Sequence, residues 1–171
     1  YKEVGDGTLK RAVDSVKVQT YDNWKLWIVD DCSPYNQRIN EMVGNYNDQR
    51  IKHFNLKNKG DRRYPGLKPK QKGVELSKGA LIAFLDADNL WMPNHLEESV
   101  LIIANDPAID MVYSDSKVML AKALLNTRLS FYWKKPEWTP ERARRIQRSN
   151  FIDISETVIR RESYYLSLIH I

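Results

Sequence analysis

Two aspartates one residue apart, Asp86 and Asp88, close the run Ala80-Leu-Ile-Ala-Phe-Leu-Asp86-Ala-Asp88-Asn-Leu-Trp91. The six mostly apolar residues before them, bounded by Gly79 and Asn89, read as a strand buried on both faces, the usual state in a parallel α/β sheet. Ligands in such sheets bind where the strands end at their carboxyl edge. In a strand, side chains at i and i+2 share a face, so both carboxylates can converge on one ion. Hard oxygen donors of this kind suit Mg²⁺ or Mn²⁺, which share their other positions with substrate phosphates. The plain alternative is a solvated Asp-x-Asp turn capping a helix. Against it stands a second example: Lys25-Leu-Trp-Ile-Val-Asp30-Asp31-Cys-Ser-Pro34 is another short apolar strand ending in two acids and a turn. Two buried strands, each delivering acid at its carboxyl end, predict a cleft along one edge of one sheet.

The elements that must position these acids alternate. Leu9, Ala12, Val13 and Val16 lie at helical spacing after an Asp6-Gly-Thr8 cap, and Leu26 to Val29 is a strand. Ile39, Met42, Val43 and Tyr46 repeat the helical spacing, and Ile51 to Asn55 is a short strand. Lys57 to Lys72, broken by Gly60, Pro65, Gly66 and Pro69, reads as a basic loop running into a helix around Gln71 to Ser77. After the Asp86 strand, Pro93 opens a helix with Leu96, Val100 and Ile103 on one face. Asp110 to Asp115 is a further strand, Thr139-Pro140-Glu141 a helix start, and Asn150 to Ile154 and Glu156 to Arg160 a pair of strands or loops. This order predicts an α/β fold with a mainly parallel sheet flanked by helices.

The chain of 171 residues is the size of one domain, and its 42% hydrophobic and 29% charged content is ordinary for a globular protein. No run approaches the ~18 apolar residues of a membrane span, and no signal peptide is evident, although the chain does not begin with Met. The single Cys32 excludes an internal disulfide and suits a reducing, cytoplasmic setting. His53, His95 and His170 lie too far apart in sequence to suggest zinc. A net charge of +5, concentrated in Lys57–Lys72 and Arg142–Arg161, is compatible with nucleic acid, an anionic membrane, a phosphorylated substrate or simply a solvated face.

Taken together, several motifs in order resemble the inverting family 2 glycosyltransferases. Ser15-Val-Lys-Val-Gln19-Thr20-Tyr21-x-x-Trp24 is similar to the family's S-V-x-x-Q-T-Y, and Trp27-Ile-Val-Asp30-Asp31-Cys-Ser33 to V-D-D-G-S. Gly73-x-Glu75-Leu-x-x-Gly79 is similar to G-x-x-x-A-x-G, and Phe84-Leu-Asp86-Ala-Asp88-Asn-x-Trp91-x-Pro93 to F-L-D-x-D-D-x-W-x-P. Val112-Tyr113-Ser114-Asp115 and Asn150-Phe-Ile-Asp153 also match, so the resemblance covers roughly Leu9 to Arg161. It implies a GT-A, Rossmann-like nucleotide-diphospho-sugar-binding fold. By position, Asp31 is then expected to contact the nucleobase, Asp30 to shape that pocket, Asp88 to bind a divalent metal, and Asp86 to hold the ribose or support the metal.

There are departures from the family pattern. Cys32 stands where the family has Gly, so a side chain must be accepted in a left-handed turn at a cost of about 1 kcal/mol or more. Lys70 stands where many members have an Arg near the phosphates, with Arg62 or Arg63 as substitutes from the loop. Both ends read as cut. The family's first strand is expected before Tyr1 and the general base beyond Tyr165. Leu166–Ile171 resembles one reading frame of a common sequencing adapter and is set apart as a non-native tail, leaving 1–165 as one partial domain expected to be inactive alone.

The implied reaction moves a sugar from a nucleotide-diphosphate donor, UDP-linked in the first instance, to a glycan, lipid or other hydroxyl acceptor with inversion. A divalent cation and basic loop residues would stabilise the departing diphosphate, and a carboxylate would take the acceptor proton. Trp91 and His95 are expected to border the acceptor side. The setting would be cytoplasmic, with the full-length protein peripheral at the inner face of the membrane. A nucleotidyltransferase uses the same metal logic and is the competing enzyme reading. A nucleic-acid module, hinted at by Tyr132-Trp133-Lys134-Lys135, conflicts with acid-tipped strands that repel phosphate unless a metal intervenes.

Overall fold

A computed structural model describes residues 7–64, 66–119, 130–133, 139 and 153–168. Helix α1 (Thr8–Lys17) buries Ala12, Val13 and Val16, the stripe read from their spacing. Its cap is not a side chain: Gly7 occupies the position at φ 80°, where glycine carries no Cβ penalty. Strand β1 (Leu26–Asp30) pairs in parallel with β2 (Ile51–Asn55), from Leu26↔Ile51 to Asp30↔Asn55, and α2 (Asn36–Asn45) connects them. The phenol of Tyr46, just past α2, donates to Asp14 Oδ1 at 2.7 Å and so ties α2 to α1.

Helix α3 (Leu67–Leu76) begins four residues earlier than its sequence suggested. Gly66 at φ 78° starts it, and Pro69 sits within the first turn, where its missing N–H has no intrahelical acceptor to lose. Strand β3 (Leu81–Ala83) and helix α4 (His95–Asn105) follow, then β4 (Met111–Tyr113) and a hairpin of β5 (Ser116–Met119) with β6 (Ser130–Trp133). The helix expected from Thr139 onward lies outside the described residues.

The alternation predicted a mainly parallel sheet. Instead β7 (Thr157–Arg160), the strand foreseen at Glu156 to Arg160, lies between β3 and β4 and runs antiparallel to both, with Ala83↔Val158 and Val112↔Val158 in register. β3 and β4 therefore run parallel to each other but one strand apart. The fold class is unaffected: α/β, with a parallel β1–β2 pair and helices packed on the strands.

β7 serves both cores because successive side chains alternate across a strand. Val158, 1% exposed, joins Leu96 and Ile103 of α4, while Ile159 packs against Val74, Ile82 and Phe84. The alternation continues past the apolar pair. Arg160 donates to the carbonyls of Ile103, Asp106 and Ile109 at the end of α4. Arg161, which opens α5 (Arg161–Leu168), donates to Val74 O, Gly79 O and Ser77 Oγ at the end of α3. Cations at helix C-termini complement both the orphan carbonyls and the helix dipole.

The start of α4 carries a buried histidine. His95 stacks on Trp91 with centroids 4.9 Å apart, and its Nε2 is buried without a partner among the described residues. Burial holds this imidazole below the usual histidine range, with Glu98 pulling the other way. His53 is lowered by the same cause, opposed by Asp30. A base whose folded-state pKa is depressed contributes full stability above its unfolded value of 6.5 and loses it as pH falls through that value toward the folded one. Urea unfolding should therefore show stability falling between about pH 7 and 5, above the carboxylate range. His95→Phe, which keeps the stack, should shallow that slope. A slope unchanged by the substitution refutes the assignment to His95.

Candidate active site

At the end of β1 the two acids do different work. Asp30, 8% exposed, accepts from the Ser33 amide (Oδ1, 3.0 Å) and the Ser33 hydroxyl (Oδ2, 2.8 Å), which turns the chain and leaves both oxygens engaged. Asp31 Oδ1 accepts from the Gly60 amide at 2.7 Å, clamping the basic loop onto the strand end. Its Oδ2 has no partner among the described residues. Between the clamp and the turn sits Cys32 at φ 55°, the left-handed residue anticipated from the sequence, with its thiol 3.6 Å from the Lys57 carbonyl.

A side chain at Gly60 would be crowded. A Cβ there would lie 3.2 Å from Lys68 Cβ and about as close to the Asp31 carboxylate, at 3.4 Å. Lys68, in the first turn of α3, anchors the same loop by donating to Asn58 O at 2.8 Å. Two residues on, Lys70 Nζ pairs with Asp86 Oδ1 at 2.9 Å. The first turn of α3 thus joins the two acid-tipped strand ends that the sequence singled out.

The acid pair itself is not on a strand. β3 ends at Ala83, and Asp86 to Asn89 forms a turn closed by the Asn89 amide on Asp86 O at 3.0 Å. The shared-face argument for Asp86 and Asp88 does not apply, because pairing with β7 stops before either acid is reached. Asp88, at the turn's centre, is exposed and has no hydrogen bond or ion pair among the described residues.

Both ends of this segment are pinned. Ser155, 4% exposed, takes the Asp86 amide and Asn89 Nδ2 on its hydroxyl, each at 3.0 Å, and Trp91 Nε1 on its carbonyl at 2.7 Å. Behind the turn, Ser15 Oγ accepts from the Trp91 amide. Gln19 donates to Met92 O at 2.7 Å and accepts from the Leu96 amide at 2.9 Å. Neither Ser155 nor the structural use of Ser15 and Gln19 was foreseen. A hydroxyl or amide acting across more than sixty residues leaves no local spacing to read, although Ser15 and Gln19 lay inside a recognised motif.

Other expected residues separate. Arg63 is spent on Asp61 at 2.6 Å in solvent, whereas Arg62 is exposed without a partner among the described residues. Trp91 and His95, expected on the acceptor side, pack inward. Lys134 and Lys135 of the aromatic–basic stretch lie outside the described residues.

The donor set admits a divalent cation. Among the described residues no three His, Cys, Asp or Glu form a metal cluster. Mg²⁺ needs only one or two carboxylates when phosphates complete its shell, and Asp88 and Asp86 are the residues that would hold it.

Residues 1–167 match the family described as Glycosyl transferase family 2. The chain belongs to that family. Its fold is that of S. aureus TarS residues 1–349, which superposes over 96% of this chain and 46% of its own with a TM-score of 0.66 and 16% identity. TarS 1–349 in complex with UDP superposes over 60% of this chain and 30% of its own, with a TM-score of 0.50 and 20% identity. The family 2 chain is also 31% identical over 112 residues to the Escherichia coli UDP-Glc:alpha-D-GlcNAc-diphosphoundecaprenol beta-1,3-glucosyltransferase WfgD, covering 66% of this chain and 42% of that protein. It spans less than half the length of the curated relatives it matches. Among the described residues no helix is long and apolar enough to cross a membrane.

A left-handed Cβ at Cys32 carries about 1–2 kcal/mol of strain, part of which glycine returns as unfolded-state entropy. Cys32→Gly should raise stability by about 0.5–1 kcal/mol, read as a higher urea midpoint. Equal or lower stability means the thiol contact to Lys57 outweighs the strain.

Proposed function

We propose that this chain carries the nucleotide-sugar site of a glycosyltransferase that moves a sugar from a UDP-sugar to an acceptor hydroxyl with inversion. The observation that carries the reading is the first turn of α3, which holds Asp31, through the Gly60 loop, and Asp86, through Lys70, at one site beside the exposed Asp88. Family membership and the names of WfgD and of the UDP complex of TarS support the donor class.

Asp31 Oδ2 offers an acceptor to a nucleobase N–H, and the Asp30–Ser33 turn fixes its direction. Lys70, already paired with Asp86, and Arg62, which has no partner among the described residues, supply positive charge where a diphosphate leaves. Asp88, supported by Asp86, would hold a Mg²⁺ or Mn²⁺ ion, which would supply divalent charge against the same leaving group. Attack by an acceptor hydroxyl on the face opposite the diphosphate inverts the anomeric centre. The hydroxyl proton passes to a carboxylate not assigned among the described residues.

Calorimetric titration of the chain with UDP tests this directly. Mn²⁺ should strengthen UDP binding, EDTA should remove the gain, and Asp88→Asn should cost about tenfold or more in Mn²⁺-dependent affinity. Asp31→Ala should weaken UDP with EDTA present, by the ~1–3 kcal/mol of an unpaired polar partner. If Asp88→Asn bound UDP and Mn²⁺ like the parent, the metal assignment would fail.

A further inference from the structure

Among the described residues Asp88 has no hydrogen bond or ion pair of its own, yet the turn carrying it is fixed on both sides. Lys70 holds the Asp86 carboxylate, while the hydrogen bonds that fix the backbone of Asp86 and the side chains of Asn89 and Trp91 come from one residue of another part of the chain. The Ser155 hydroxyl accepts the Asp86 amide and the Asn89 side chain, and its carbonyl accepts the Trp91 indole. An Oγ has two acceptor positions, and both are filled by groups that flank Ala87 and Asp88.

Ser155 is itself held rigidly. It lies in a single 3₁₀ turn (Ile154–Glu156) with a complete capping box. The Asp153 carboxylate accepts from the Ser155 amide at 2.8 Å, and Glu156 accepts from the Asp153 amide at 3.0 Å. The turn leads directly into β7, the strand that both cores share. A rigid support thus contacts a loop whose own sequence, Asp-Ala-Asp-Asn, has no apolar anchor.

We infer that Ser155 is a positioning residue for the acid turn, fixing Asp86 and Asn89 so that Asp88 meets a divalent cation in one preset geometry. This rests on reading Asp88 as the cation ligand. A flexible turn would have to be ordered whenever the ion bound, and that cost would appear as lost affinity. Partners that orient a ligand typically change metal affinity 10–100-fold when removed.

The test pairs amide hydrogen exchange over residues 84–92 with titration of the chain by Mn²⁺ alone, followed by electron paramagnetic resonance. Ser155→Ala should speed exchange at Asp86 about tenfold, the effect of one lost hydrogen bond, and weaken Mn²⁺ by about 10–100-fold. Ser155→Thr, which keeps the hydroxyl, should recover both. Ser163→Ala, which removes a hydroxyl of α5 bonded to Asp110, should change neither. Should Ser155→Ala unfold, Asn89→Ala removes one of the two bonds to the same oxygen and should move both readouts in the same direction. Parent-like exchange in folded Ser155→Ala, or in Asn89→Ala where that substitutes for it, overturns the positioning role. A parent chain that takes up no Mn²⁺ overturns the cation reading instead, so the two failures are separated by measurement.

Discussion

The contact on which the site's assembly depends is the Lys70–Asp86 ion pair, taken with the lysine one turn-edge before it. β1 and β3 are not hydrogen-bonded neighbours among the described strands, so their acid-bearing ends need a third element to register them. α3 does this by sending Lys68 back to the Asn58 and Lys59 carbonyls and Lys70 forward to Asp86. Both members of the ion pair are about a third exposed, so its energetic worth is modest, of the order of a surface pair. Its value is geometric. It fixes a cation beside carboxylates that would otherwise repel one another, and it leaves that cation placed where a phosphate would arrive.

The chain's positive balance reads differently once its partners are known. Arg160 and Arg161 are consumed on helix carbonyls, Arg50 lies over the Trp24 ring at 3.9 Å while pairing with Asp48, and Lys68 is turned onto backbone oxygen. What looked like a basic surface is in good part internal wiring. Lys70 remains beside the acids, paired with Asp86.

The helices that pack against the sheet were legible wherever apolar residues recur at helical spacing, as in Ala12, Val13 and Val16. The acids at the ends of β1 and beyond β3 were found because apolar runs end abruptly in charge. Two things were not legible. The antiparallel placement of β7 depends on long-range pairing, and Val158 and Ile159 carry the same apolar signal in either direction. The early start of α3 was hidden by Gly66 and Pro69, which read as breakers but serve as a left-handed cap and a first-turn residue. Cys32 was legible through a departure: a side chain at a position the family gives to glycine implied strain, and φ 55° shows where that strain lies.

The position of β7 has a consequence for the order in which the molecule is built. As the chain leaves the ribosome, β1, α2, β2 and α3 can pair and pack at once, since their contacts are close in sequence. β3 and β4 cannot complete their sheet until residues near 160 emerge, and until then each keeps an open edge. Ser155 arrives with that same segment. The half of the site at the end of β1 therefore forms early, whereas the turn carrying Asp88 takes shape only when β7 slides between its two waiting neighbours.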